Sequence, residues 1–128
     1  MNTHETYVSL ETAELLKKAG FDWETIHFYN SNGIFVKGGE LFNWNSETGN
    51  YQDTSTPTLA VAQKWLREVK GMPVNVISYS DTKTGNTIGY CYQVYERTTG
   101  WVFNHFSYES ALEAGIKKAL EIILEKEE

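Results

Sequence analysis

The chain has 128 residues, 41% of them hydrophobic and 14% aromatic, with a formal net charge of −6. That length suits one domain that buries roughly two-thirds of its extended surface without metal or disulfide staples. The composition argues against disorder, and the single cysteine, Cys91, excludes an internal disulfide and a multi-cysteine metal site.

Charge is unevenly spread. Residues 1–56 hold 3 basic and 8 acidic side chains, residues 57–106 hold 5 and 3, and residues 107–128 hold 3 and 6. No segment is basic enough to form an electrostatic footprint for nucleic acid. The opening "MNTHETYVSLETAELLKKAG" lacks the apolar core of a signal peptide. No apolar run approaches the roughly 18 residues of a membrane span. These features predict a cytoplasmic protein.

The first helix is well marked. Ser9 is placed to cap it, Val8 and Ala13 to staple it, and Glu11 to lie in its first turn. Ala13, Leu15, Leu16 and Ala19 supply apolar surface. Lys17 and Lys18 suit the negative end of the dipole, and Gly20 the left-handed closing position.

Residues 26–53 predict short strands, "IHFY", "GIFVK", "ELFNW" and "NYQD", separated by "NSNG", "GG" and "NSETGN". In "ELFNWN" alternation puts Phe42 and Trp44 on one face. A second helix follows in "TPTLAVAQKWLREVKG", with Thr56 as cap, Pro57 in the first turn and Gly71 as the stop. Its expected stripe is Val61, Ala62, Trp65, Leu66 and Val69.

The segments "VNVISY", "IGYCYQVYE" and "WVFNHF" predict a three-stranded meander. Ser107 then caps a last helix whose stripe is Leu112, Ile116, Ala119, Leu120 and Ile123. Gly115 lies on that face and costs about 1 kcal/mol relative to Ala in mid-helix. Close approach of another backbone would account for it. Glu109, Glu113, Glu121 and Glu125 read as a solvated face, with Glu113 four residues before Lys117.

Three polar-Thr-Gly triplets end at Gly49, Gly85 and Gly100. A phosphate cradle would lead into a helix start, and none of these does. Each fits a hairpin loop closed by a left-handed glycine. They are turns. Gly49 precedes Thr56 by the seven residues that separate Gly100 from Ser107, which suggests two hairpin-helix half-units. The expected fold is a single α+β domain over 1–128, order α-βββ(β)-α-βββ-α, with three helices on antiparallel sheet.

Cys91 and His105 are the nucleophile–base pair to weigh. If Arg97 pairs with Trp101 across the turn, Gln93 lies opposite His105 and Cys91 is a diagonal neighbour on the same face. Diagonal neighbours sit about 7–8 Å apart, too far for a thiol–imidazole hydrogen bond. His4, His27 and His105 lack metal-ligand spacing. No catalytic residue, metal or cofactor is assigned, and the protein is expected not to be an enzyme.

Aromatics cluster, with eight in 21–51 and seven in 90–108. In the register above, one face of the meander carries Tyr92, Val94, Val102 and Phe106, and the other carries Tyr95, Trp101 and Phe103. Such a sheet is covered on both sides or offers one to a partner, and three helices suffice to cover both. Trp44, Tyr95 and Trp101 are the candidates for a partner site, since Tyr and Trp dominate interface hot spots. Lys64, Arg67, Lys70, Lys83 and Arg97 form the local basic excess.

The segments "YVSLETAELLKKAGFD", "TPTLAVAQKWLREVKGMPVNV" and "SYESALEAGIKKALEII" resemble those of small uncharacterised proteins encoded by phages and prophages of gut bacteria. The resemblance covers most of the chain outside 26–53. It implies a phage-associated setting in bacteria and brings no catalytic residue. The function expected from all this is that of a non-enzymatic phage or mobile-element accessory protein acting through protein contacts, with a homodimer as one form of them. The alternative is a weak nucleic-acid binder using the 74–106 sheet.

Overall fold

The computed structural model describes residues 5–46, 52–94 and 100–127. Helix α1 (Leu10–Lys18) starts where Ser9 Oγ accepts from the Thr12 amide at 3.3 Å. It ends at Gly20, whose φ of +95° lets the Gly20 and Phe21 amides turn back to the carbonyls of Lys17 and Leu16. Its buried face is Thr12, Ala13 and Leu16, with Leu15 half-buried.

Strands β1 (Phe28–Tyr29), β2 (Phe35–Val36) and β3 (Thr54–Ser55) form a small antiparallel sheet in the order β2-β1-β3. The β1–β2 turn is built by Asn30, whose Oδ1 accepts from the amides of Asn32 and Ile34. "ELFNW" does not become a strand. It touches the sheet region through one antiparallel bridge, Thr25 to Phe42. The third strand forms at 54–55, immediately after the expected "NYQD", where Thr54 and Ser55 pair with Tyr29 and Phe28.

Helix α2 (Leu59–Val69) is capped by Thr58, whose hydroxyl accepts from the Val61 amide, and not by Thr56. Neighbouring chain holds residues 56–58 extended. The Thr56 amide donates to His27, Val8 donates to the Pro57 carbonyl, and Tyr7 bridges Thr58. Thr56 is buried and its hydroxyl donates to Val8. The equal spacing that related the two hairpin-helix units therefore fails by two residues. Each sheet is nonetheless followed by a helix. The α2 stripe also rotates: Leu59, Ala62, Trp65 and Leu66 are buried, while Val61 and Val69 are exposed.

Strands β4 (Val74–Ser80), β5 (Thr87–Val94) and β6 (Val102–His105) form the second sheet in the order β4-β5-β6, all antiparallel. Gly85 and Gly100 adopt left-handed φ of +75° and +83°, as turn glycines should. The β4–β5 loop closes through paired backbone bonds between Asp81 and Asn86 and between Gly85 and Asp81. Gly49 and the Thr98-Thr99 step lie outside the described residues.

Helix α3 (Tyr108–Lys126) opens with a reciprocal cap between Ser107 and Ser110. It packs against β4 and β5 and against both other helices. Leu112, Ile116, Ala119, Leu120 and Ile123 are all buried, as their spacing predicts. A Cβ on Gly115 would lie 2.5 Å from Val74 Cγ1 and 3.1 Å from Tyr92 Cδ1. The close approach is therefore to side chains of the sheet and not to another backbone.

Glu113 is not part of a solvated face. Its Oε2 accepts from the Ser9 amide at 3.3 Å and from the hydroxyls of Ser9 and Thr12. Lys117 pairs with Glu11 of α1 at 2.8 Å instead of with Glu113. These contacts tie the start of α1 to the middle of α3.

Gly115→Ala should separate packing from propensity. Alanine favours an isolated helix by about 1 kcal/mol, but overpacking here should destabilise the fold by about 1–3 kcal/mol net. A lower urea midpoint at unchanged slope is the expected result, and a raised midpoint contradicts the packing.

Candidate partner surface

The second sheet's two faces follow from its register. Val74 pairs with Val94, Val76 with Tyr92 and Ser78 with Tyr90, and cross-strand partners share a face. That face meets α3: Val74, Tyr92 and Val94 are buried and Val76 is half-buried against them. The other face takes Asn75 with Gln93, Ile77 with Cys91, and Tyr79 with Gly89.

On β6 the register breaks. Tyr90 pairs with His105 and Tyr92 with Val102, so two β5 steps are matched by three on β6. Asn104 takes φ of +76°, the left-handed conformation that Asn tolerates better than most residues. The extra residue of a bulge moves whatever follows to the opposite face. His105 therefore joins Tyr92 on the α3 side, their rings 5.6 Å apart. Phe106, expected beside Tyr92, is fully exposed.

This overturns the shared face expected for Cys91 and His105. Cys91 belongs with Ile77 on the far face, where it is fully buried and its thiol donates weakly to the Ile77 carbonyl at 3.7 Å. Burial pushes the thiol pKa up, so it is a poor nucleophile at neutral pH. His105 Nε2 is buried and has no hydrogen-bond partner among the described residues. His27 is occupied structurally: Nδ1 accepts from the Gly38 amide, and its ring packs on Tyr7 and Phe35. His4 lies outside the described residues. Among the described residues no group of three His, Cys, Asp or Glu side chains could hold a metal ion.

The far face of the sheet keeps large apolar side chains in contact with solvent. Ile77 is 47% exposed and Phe103 49%, with the Phe103 ring edge-on to Tyr79 at 5.0 Å. Val102 lies on the α3 side, where with Tyr92, Val94 and Ile122 it lines a hollow of about 250 Å³. Strand alternation then puts the half-buried Trp101 at an open-face position. Of the two expectations, covered on both sides or one side open to a partner, the exposed Ile77 and Phe103 favour the second. Helix α3 lies on the inner face, and α1 and α2 pack against α3.

The three aromatic candidates separate. Trp101 belongs to the open face and Tyr95 lies outside the described residues. Trp44 sits with the first sheet, where its Nε1 donates to the Thr25 carbonyl and its ring stacks on Phe28 at 4.2 Å. Its visible role is packing. Ile77, Tyr79 and Phe103 belong to the open face as well. The alternation in "VNVISY" carried the signal for the first two, since Val74 and Val76 are out of phase with Ile77 and Tyr79.

Among the described residues no helix is long and apolar enough to cross a membrane. Comparison with protein-family models, with curated proteins and with solved structures returns no match.

Two measurements check this geometry. Asn104→Val should cost about 1–2 kcal/mol, the penalty of a left-handed conformation, while Asn104→Gly should keep the melting temperature close to that of the parent. Iodoacetamide should label Cys91 at least about tenfold more slowly in the folded protein than in urea. Equal rates would contradict the burial of the thiol.

Proposed function

We propose that this chain is a non-enzymatic accessory protein of a phage or mobile element, working in a bacterial cytoplasm through contact with another protein. The setting rests on the resemblance of its helical segments to phage and prophage proteins. The contact rests on one observation, the half-exposed Ile77 and Phe103 flanking Tyr79 on the sheet face opposite α3. Apolar patches of this kind, built on rigid strands, are costly to leave in water and commonly mark interaction sites. Tyr79, Trp101 and Phe103 supply aromatic surface of the sort that carries binding energy.

Charge favours a protein partner over nucleic acid. Strands β4, β5 and β6 carry no Lys, Arg, Asp or Glu, so this face lacks the cations that would meet phosphates. Lys83 stands at the tip of the β4–β5 loop, where its amide donates to Asp81 Oδ1.

Phe103→Asp puts a charge on the open face while leaving the α3 side untouched. Affinity capture from the native host should retain a specific protein with the parent chain and lose it with Phe103→Asp, at unchanged circular dichroism. Capture that is the same for both chains would contradict this reading. So would binding that is abolished by nuclease or falls steeply between about 50 and 200 mM salt.

A further inference from the structure

Among the described residues no further strand pairs with either outer strand of the second sheet, and the two edges are treated differently. β6 is four residues long and broken by the left-handed Asn104, the kind of irregularity that blunts an edge. The strands of the first sheet are two residues each. β4 is different: its seven residues, "VNVISYS", hold no charge and no proline, and its pairing with β5 is regular from Val74 to Tyr79. Nothing in its sequence discourages another strand.

The phase of the edge can be read from one bond. Gln63 Nε2 of α2 donates to the Val74 carbonyl at 2.7 Å, so that carbonyl faces away from β5. In an antiparallel strand alternate residues point both backbone groups the same way. Val76 and Ser78 therefore turn their N–H and C=O outward, while Ile77 directs its carbonyl toward Cys91 of β5.

We infer that β4 is the seam of a homodimer in which two copies add strand to strand about a two-fold axis at Ile77. This deepens, and rests on, the reading of the same sheet as a protein-contact element. The chain's own sequence supplies what the edge requires. An antiparallel two-fold copy sets Val76 against Ser78 and Ser78 against Val76, so each outward pair can exchange both backbone bonds. The central pair is then Ile77 against Ile77, at the close spacing of a non-hydrogen-bonded pair. That pairing covers a side chain that is 47% exposed. The result is a six-stranded sheet with both open faces on one side. The net charge of −6 opposes association at long range, but the seam is uncharged, so added salt tightens the dimer by screening.

Sedimentation velocity from micromolar to millimolar concentration tests this. The parent chain should move from monomer to dimer, more readily at higher salt. Ser78→Pro removes an outward N–H, a change a free edge tolerates, and should raise the dissociation constant by about tenfold or more with the fold intact. Ile77→Lys sets two like charges on the axis and should do the same. A parent chain that stays monomeric throughout overturns the dimer, as does a Ser78→Pro variant that associates like the parent. Phe103→Asp lies away from the seam and should dimerise normally. Monomers that still capture their partner overturn the seam alone, and dimers indifferent to Phe103→Asp in capture overturn the open-face reading alone.

Discussion

The contact between Gly115 and the side chains of Val74 and Tyr92 sets the architecture. With only hydrogen at position 115, α3 approaches the sheet so closely that a methyl group would overlap Val74. The helix thereby lies flat along β4 and β5 and seals their inner face. Its remaining apolar surface is then free for α1 and α2, which makes α3 the element that both other helices share. Burial of an aliphatic side chain contributes about 1.5–3 kcal/mol. The fully enclosed Ile116 and Leu120 therefore anchor the interior. Polar contacts fix the orientation: Glu113 reaches the cap of α1, and Lys117 reaches Glu11.

On the outer face, among the described residues, large apolar side chains stay exposed. Three helices could in principle sandwich a three-stranded sheet, but here α1 and α2 pack on α3, and Phe21 packs its ring on Trp65 of α2. Cys91 on the outer face is fully buried, while Ile77 and Phe103 stay in contact with solvent. On this surface burial raises the pKa of the Cys91 thiol. What the surface offers is shape and apolar area.

Local signals in the chain were reliable wherever one residue's chemistry decided the outcome. Ser9 and Ser107 cap the helices that their positions suggest, Gly20 ends α1, and Gly85 takes the turn conformation. The α+β order followed from these punctuation marks. Legibility failed where distant chain intervened. Thr56 has the chemistry of a cap, yet pairing with Val8 and His27 keeps it extended and moves the cap to Thr58. At Asn104 a single inserted residue reversed the faces of everything after it, and the apparent Cys91–His105 proximity vanished with it. Trp44 looked like a surface aromatic, but a bond from its indole N–H to Thr25 draws it into the first sheet. The open face was half legible: its aromatics stood out, while its exposure depended on where the helices went.

The choice of face by α3 can be tested by nuclear magnetic resonance in solution. Stacked against the Tyr92 ring, the Gly115 α-protons should be displaced upfield and show Overhauser contacts to the Val74 methyls and Tyr92 ring. Ile77 and Phe103 should meanwhile be broadened by a soluble paramagnetic probe. Ordinary glycine shifts, with contacts from α3 to Ile77 or Phe103 in place of Val74 and Tyr92, would place the helix on the opposite side and contradict the account.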